Sequence, residues 1–393
     1  MSKNNLILKI ILLSVITLSL IPYNNQTLIL IQNKSTVIAP VDFELTTPRY
    51  LYFIEPLTGL SDYFQSFKDI PKQLFFWLFW LVFFFGFLRI SFSKILMSIL
   101  RIFLIPLIFI TTVLLLITFI PPKYKLLNKN PNLLLVDFHS HTSFSHDGLA
   151  TPLRSALWHK KHNFDFFFVT DHSENKYFEI IKSDPELRSN IFPGEEVSDK
   201  NGTHLLILGL ETPLPVDLRN TETTKIVSYV HKTGGAVVVA HWWHKINSSM
   251  EDLKNAGIDG FEIYGHEVTP LTKFTQNKII EFCRKNNLAM LGGSNWHGWG
   301  TRNDVWTIFR NRQTLPEKNP GKKIIQFLID GKIDNFSTLF IQKNEPEGLL
   351  KIVFEPFYGL FYYFLGLDFF QGLIWCMWII AGRIIFYRKL FSF

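Results

Sequence analysis

Asp137-Phe138-His139-Ser140-His141-Thr142-Ser143-Phe144-Ser145-His146-Asp147-Gly148 is the stretch on which the fold reading turns. It closes the run Leu133-Leu134-Leu135-Val136, which has no polar face and so suits a strand covered by helices on both sides. Alternate strand residues point the same way, so His139 and His141 offer two imidazoles to one point, as a shared metal ion requires. Asp147, after a turn ended by Gly148, returns a carboxylate to the same region; His146 is the alternative in that loop.

The pattern repeats outward. Apolar runs from Leu133 to His139, Phe164 to Asp171, Leu205 to Leu210, Ala236 to His241, Gly260 to Tyr264 and Leu288 to Gly292 read as strands alternating with helical segments. That is the rhythm of a β/α barrel or sheet. Thr151 before Pro152 and Thr269 before Pro270 each place a capping hydroxyl ahead of a helix start. Polar residues then gather at strand ends: Thr170-Asp171-His172, Glu195-Glu196 leading through Gly202 to His204, Ala240-His241, and Gly293-Ser294-Asn295-Trp296-His297. Barrel enzymes build their sites at that end. A single buried His is often satisfied by the backbone, but a His at the same end of successive strands points to metal. His159, His162 and His231 fall on helices, where an exposed His is ordinary, and are set aside. Glu262 and His244 read either as supporting or substrate groups or as solvated loop positions, and Arg302 as a phosphate contact or a surface residue. No internal repeat is evident.

All 12 His lie between His139 and His297, so function is sought there in a chain of 393 residues. The two cysteines imply neither a disulfide framework nor a thiolate zinc site. With 39 Phe and a positive mean hydropathy, much apolar surface must sit outside an ordinary soluble core. Residues 6–21, 74–92 and 102–120 read as transmembrane helices, although the first also resembles a signal peptide without a small-residue cleavage site. Val353 to Tyr387 reads as a further anchor of one or two passes. The expected division is a membrane region 1–130, a soluble domain 131–345 and an anchor 346–393, with 22–73 uninterpreted. Lys3, Lys9, Arg89, Lys94 and Arg101 lie on the expected cytoplasmic side, which puts the soluble domain outside the cell membrane. Lys123, Lys125 and Lys129 argue against that orientation. The net charge of +7 is read as membrane-edge anchoring, and nucleic acid is given low weight as a partner.

Across residues 131 to 310 these motifs resemble the PHP family, named for the polymerase and histidinol phosphatase domains. The resemblance implies a distorted (β/α)7 barrel, here flanked by transmembrane α-helices, and hydrolysis of phosphate esters by a metal-bridging hydroxide. It implies two or three Mn, Zn or Fe ions held by His139, His141, Asp147, His172, Glu196, His204, His241 and His297, with Glu196 bridging. Asn295 stands where the family usually has Asp, so one metal site is expected to be weak, empty or differently loaded. His241, His297 and Glu196 are the expected catalytic residues, and Arg302 and His244 the expected substrate contacts. The expected substrate is a phosphorylated small molecule or a lipid-linked phosphate, with the bilayer as the other partner. The rival readings are a metallo-amidohydrolase, although no Lys suited to carbamylation stands at a middle strand end, and a non-catalytic metal or ligand sensor.

Overall fold

The computed structural model describes every residue except 1, 2, 25, 87–94, 173–182, 184–189, 211, 245, 246, 267, 268, 317, 318, 345–347 and 391–393. Thirteen strands form among the described residues: β1 Gln26–Ile31, β2 Thr36–Ile38, β3 Phe43–Thr46, β4 Lys125–Asn128, β5 Leu134–Asp137, β6 Phe166–Val169, β7 Ile191–Ser198, β8 His204–Leu208, β9 Ala236–Val239, β10 Gly260–Tyr264, β11 Ala289–Gly292, β12 Val305–Phe309 and β13 Phe336–Lys343. Eleven of them make one sheet in the order β11-β10-β9-β8-β7-β6-β5-β12-β13-β1-β2, and β3 pairs with β4. The fold is mixed α/β. Val237, Val238 and Val239 are all fully buried, as two-sided apolar strands require.

The expected closed ladder of seven strands is not what forms. β5 to β11 are seven neighbours in the sheet, but their two ends meet only through a parallel bridge between Ser140 and Trp296. Two backbone bonds support it, His141 N–H to Trp296 O at 2.9 Å and Asn295 N–H to His139 O at 2.8 Å. Below that bridge β12 takes the pairing edge of β5 and carries the sheet on to β13. Thr307 Oγ1 accepts from Gly292 N and donates to Gly292 O, and Thr338 Oγ1 donates to Met290 O, so side chains replace a ladder there. β8 also departs from a parallel β/α rhythm, running antiparallel to both β7 and β9. Thr151 caps Pro152–Lys161 as expected, whereas the helix expected at Pro270 begins at Lys273 under a Thr272 cap.

Of the expected spans, Ile99–Phe119 is long and apolar enough to cross a membrane by length and composition, and only about a tenth of it is buried. Asn5–Ser19, Ile70–Phe84 and Phe369–Ile385 are apolar but shorter. The first helix, 17 residues, reaches only about 25 Å at 1.5 Å per residue, less than a bilayer core of ~30 Å. Residues 87–92 of the second expected span, together with Arg89 and Lys94, lie outside the described residues.

The helical region contains a repeat that the sequence reading missed. Glu55-Pro-Leu-Thr-Gly59-Leu-Ser-Asp-Tyr63-Phe64 matches Glu355-Pro-Phe-Tyr-Gly359-Leu-Phe-Tyr-Tyr363-Phe364, and each is followed by an Asp, a Gln and, four residues after the Gln, a Trp. The copies interlock reciprocally. Tyr63 donates to Glu355 Oε1 at 2.9 Å and Tyr363 to Glu55 Oε1 at 3.2 Å. Trp77 and Trp375 donate to Tyr63 and Tyr363 at 3.1 and 2.9 Å. Each glycine permits the crossing: a Cβ on Gly59 would lie 2.0 Å from Tyr363 Oη, and one on Gly359 2.3 Å from Tyr63 Oη. Lys123, one of the charges that argue against the expected orientation, is buried and donates to Glu55 at 2.6 Å.

Removing one partner of a buried ion pair strands the other charge, at a cost of about 3–5 kcal/mol. Lys123→Met is therefore expected to lower the melting temperature sharply, and Lys123→Met with Glu55→Gln to recover most of the loss, as followed by tryptophan fluorescence on the full chain. Equal losses in the single and double variants would contradict the pairing.

Candidate metal centre

The mouth of β5 to β11 collects the side chains that the motifs nominated. His139 and His141 follow β5, His172 follows β6, His241 follows β9, and Asn295 and His297 follow β11. Glu196 lies inside β7, a strand the sequence reading missed because Pro193 and Gly194 interrupt its pattern. His204 reaches the same mouth because β8 runs backwards, so its first residue, not its last, lies beside Glu196.

Glu196 is buried at the middle, and five imidazoles surround it. Oε1 lies 2.6 Å from His204 Nδ1 and 3.0 Å from His241 Nε2. Oε2 lies 3.1 Å from His139 Nε2, 3.2 Å from His141 Nε2 and 3.5 Å from His172 Nδ1. Asp147 forms a second focus, 3.4 Å from His172 Nε2 and 3.3 Å from His297 Nε2. His141, Asp147, His172 and His297 make one group of potential ligand atoms, and His139, Glu196 and His241 another. The exposed His146 is 3.9 Å from Asp147 and belongs to neither group.

The supporting contacts are those a metal site needs. Glu262 Oε1 accepts from His139 Nδ1 at 2.9 Å, which leaves Nε2 of that ring facing Glu196, and its Oε2 accepts from His241 N at 2.8 Å. Gly293 makes room for this, since a Cβ there would fall 2.1 Å from Glu262 Oε1. Asn295 O accepts from His297 Nδ1 at 2.8 Å, turning Nε2 toward Asp147. Ser145, which the sequence reading passed over, donates to Asp147 at 2.7 Å.

The donor set fits divalent cations. Nε2 of His139 and of His141 lie 3.0 Å apart, and the His141 and His297 rings stack at 4.0 Å. Neutral bases crowded this closely around one carboxylate lack enough protons to satisfy one another, and a cation supplies what is missing. His141 Nδ1 and Asn295 Oδ1 are buried without a hydrogen-bond partner. Electrostatics follow the same crowding. Burial opposes charge on His139, but Glu262 and Glu196 outweigh it and hold its pKa well above the ordinary histidine value. Burial and the neighbouring His297 push His141 well below that value. Burial pushes Glu196 upward, yet His139 and His241 outweigh it and keep the carboxyl well below the usual range. The Asp147 carboxyl, despite burial, is brought to about 2 by Ser145, His297 and His172.

Other nominated residues lie around these two groups. Asn295 Nδ2 donates to His266 O at 2.7 Å, and His244 Nδ1 sits 3.1 Å from Thr269 Oγ1. Arg302 is buried, engaged by Asp62 and 3.8 Å from Asp304. All three line a cavity of about 840 Å³ that also contains Asp147, Glu196, His241 and His297. His266, unremarked in the sequence, lines it too and pairs with Asp304 at 2.7 Å. His159 and His162 are not the exposed helix residues expected. His159 is buried against Asp137 at 3.0 Å, which in turn accepts from the backbone of His139 and Ser294, and His162 is buried against Thr301 O at 2.9 Å. His231 forms a half-exposed pair with Asp259 at 2.9 Å.

No family model and no curated protein matches the chain. Among solved structures it is similar to a metal-dependent phosphoesterase, described as putative, from Bifidobacterium adolescentis, at 18% identity over 43% of this chain and 89% of that one, with TM-score 0.36. It is similar to PsfC from Pseudomonas syringae at 16% identity over 59% of this chain and 98% of that one, with TM-score 0.41. It is also similar to Endonuclease Q in complex with a 27-mer duplex bearing an abasic lesion, at 15% identity over 45% of this chain and 53% of that one, with TM-score 0.34. That last finding overturns the low weight given to nucleic acid, which rested only on where the basic residues fall along the sequence.

Because Glu262 and Glu196 raise the proton affinity of His139 in the metal-free protein, a cation competes with a proton for that ring, so affinity rises with pH. Titration of Mn into the full chain is expected to tighten by up to about tenfold per pH unit between pH 6 and 8 for each proton displaced. Glu262→Gln is expected to weaken binding about 10–100-fold by releasing the His139 ring. A flat pH dependence would contradict this arrangement.

Proposed function

We propose that the chain is a membrane-attached, metal-dependent phosphoesterase whose domain 131–345 is a distorted β/α barrel of the PHP type. The observation that carries this reading is the convergence of five imidazoles on Glu196 beside the Asp147 group, at one mouth of the sheet. His139, Glu196, His241 and His204 would hold one cation, and His141, Asp147, His172 and His297, with Asn295 beside them, another. When bound, divalent ions supply an acidified water and positive charge for phosphoryl oxygens.

The chain's own residues do the rest. Glu196, placed between the two groups, sets their separation, and Glu262 fixes the His139 ring and the His241 backbone. His241 and His297 would be engaged as ligands, so His266, on the cavity wall and paired with Asp304, is the group to pass a proton to the departing alkoxide. Arg302 and His244 border the space in which the ester lies. Membrane attachment is supported by the bare apolar surface of three helices, on which Leu13, Phe103, Ile108, Phe119, Phe370 and Met377 are each more than half exposed. The positive-inside bias supports an extracytoplasmic domain, and burial of Lys123 removes one of the charges opposing it.

The test is a hydrolysis screen on the detergent-solubilised full chain loaded with Mn, Zn or Fe, reading phosphate release from monoesters, alcohol release from diesters, strand incision of a duplex with an abasic lesion, and amine release from amides. Phosphoester turnover that a chelator abolishes is expected, and His139→Ala and Glu196→Gln should each reduce it at least about 10³-fold. Cleavage of amides alone would favour the amidohydrolase, and stoichiometric metal without any turnover the sensor.

A further inference from the structure

The cavity over the metal centre has two chemically different ends. One carries the His and acidic side chains; the other is walled by Phe64, Phe67, Ile70, Leu74, Val113 and Ile117. None of these six lies in the sheet. They come from helices Glu55–Gln65, Ile70–Leu81 and Ile95–Phe119 and from the turn at 66–69. The wall is fixed to the centre: Gln65 Oε1 accepts from Thr301 N at 2.5 Å and Arg302 N at 2.9 Å, and Asp62 accepts from Arg302. Only the first copy of the repeat does this, because the second has Tyr362 and Leu365 at the corresponding places.

About 840 Å³ is far more space than a bare phosphate fills, and its apolar end gains nothing from a polar occupant. We propose that the ester taken by this site carries an apolar chain, with its phosphate on the His and carboxylate cluster and its chain along Phe64, Leu74, Val113 and Ile117. This rests on the phosphoesterase reading. A phospholipid and a soluble alkyl phosphate share this chemistry. The ~30 Å apolar helix that supplies Val113 and Ile117 places that end of the cavity against the surface a bilayer would cover.

The experiment uses the metal-loaded full chain in a fluorinated surfactant, which does not compete for an alkyl site. Phosphate release from ethyl, hexyl and decyl phosphate and from phosphatidic acid vesicles is compared with cleavage of an abasic duplex. Binding of ethyl- and brominated decylphosphonate is read separately by quenching of tryptophan fluorescence. The proposal expects kcat/KM to rise about fourfold per methylene until the wall is covered. It also expects Ile117→Gln, and independently Ile117→Trp, to lower the decyl-to-ethyl ratio at least about tenfold. Turnover of decyl phosphate in preference to ethyl phosphate, or of phosphatidic acid in preference to ethyl phosphate, supports the proposal and identifies the source. Equal rates for ethyl and decyl phosphate, or the duplex cleaved in preference to every alkyl ester, would overturn it. If no phosphoester turns over but the decyl phosphonate quenches with the expected sensitivity to Ile117→Gln, the apolar site stands and the phosphoesterase reading fails. Absence of chain-length-dependent quenching overturns the apolar site itself.

Discussion

One carboxylate sets the terms for this molecule. Glu196 is buried, and imidazoles from β5, β6, β8 and β9 reach both of its oxygens. An isolated buried carboxylate is costly, and so is a packed set of unsatisfied ring nitrogens. The two costs offset each other only when the strands hold the groups in register and cations fill the remaining valence. The bridge between Ser140 and Trp296, the reversed β8 and the β7 strand around Pro193 all serve that register. So does Glu262, which positions His139 and His241 together from the floor of the site.

The helical region is bound to this site and not simply appended to it. Its two copies of one motif exchange a Tyr-to-Glu hydrogen bond across a glycine contact, giving a buried polar joint between segments about 300 residues apart in sequence. Lys123 donates to Glu55 within that joint, and Asp62 and Gln65 turn the same copy toward Arg302 and the cavity. The duplication is thus symmetric in its packing and asymmetric in what it touches. β1 extends the coupling, since it pairs with β13 although it precedes the expected domain boundary by about 100 residues.

The sequence spoke most clearly where residues of one kind sit at one place in a short period. His139 and His141 on alternate positions, and His residues near the ends of apolar runs, were legible because strand geometry alone relates them. The six strands expected between Leu133 and Gly292 all form, each within a few residues of its expected bounds. β7 was hidden by Pro193 and Gly194, and β12 and β13 by their position after the last motif. The roles of Glu262 and Ser145 depend on contacts across the sheet that no local pattern encodes. His159 looked like an exposed helix residue because its helix carries Lys160 and Lys161, yet it turns inward to Asp137. The repeat is readable letter by letter, but its copies stand far apart in the chain, one in the stretch 22–73 and the other in the apolar C-terminal segment. Net charge is silent on nucleic acid for a similar reason: it says nothing of how a surface arranges it.

Where cations bind decides what the Glu196 and Asp147 groups do. The most direct measurement is a structure of the Mn-loaded full chain with anomalous scattering recorded at the manganese edge. Two peaks are expected, one beside Glu196 within reach of His139 and His241, the other beside Asp147 within reach of His141, His172 and His297. Peaks elsewhere, or none at a Mn concentration that saturates binding in solution, would contradict that placement.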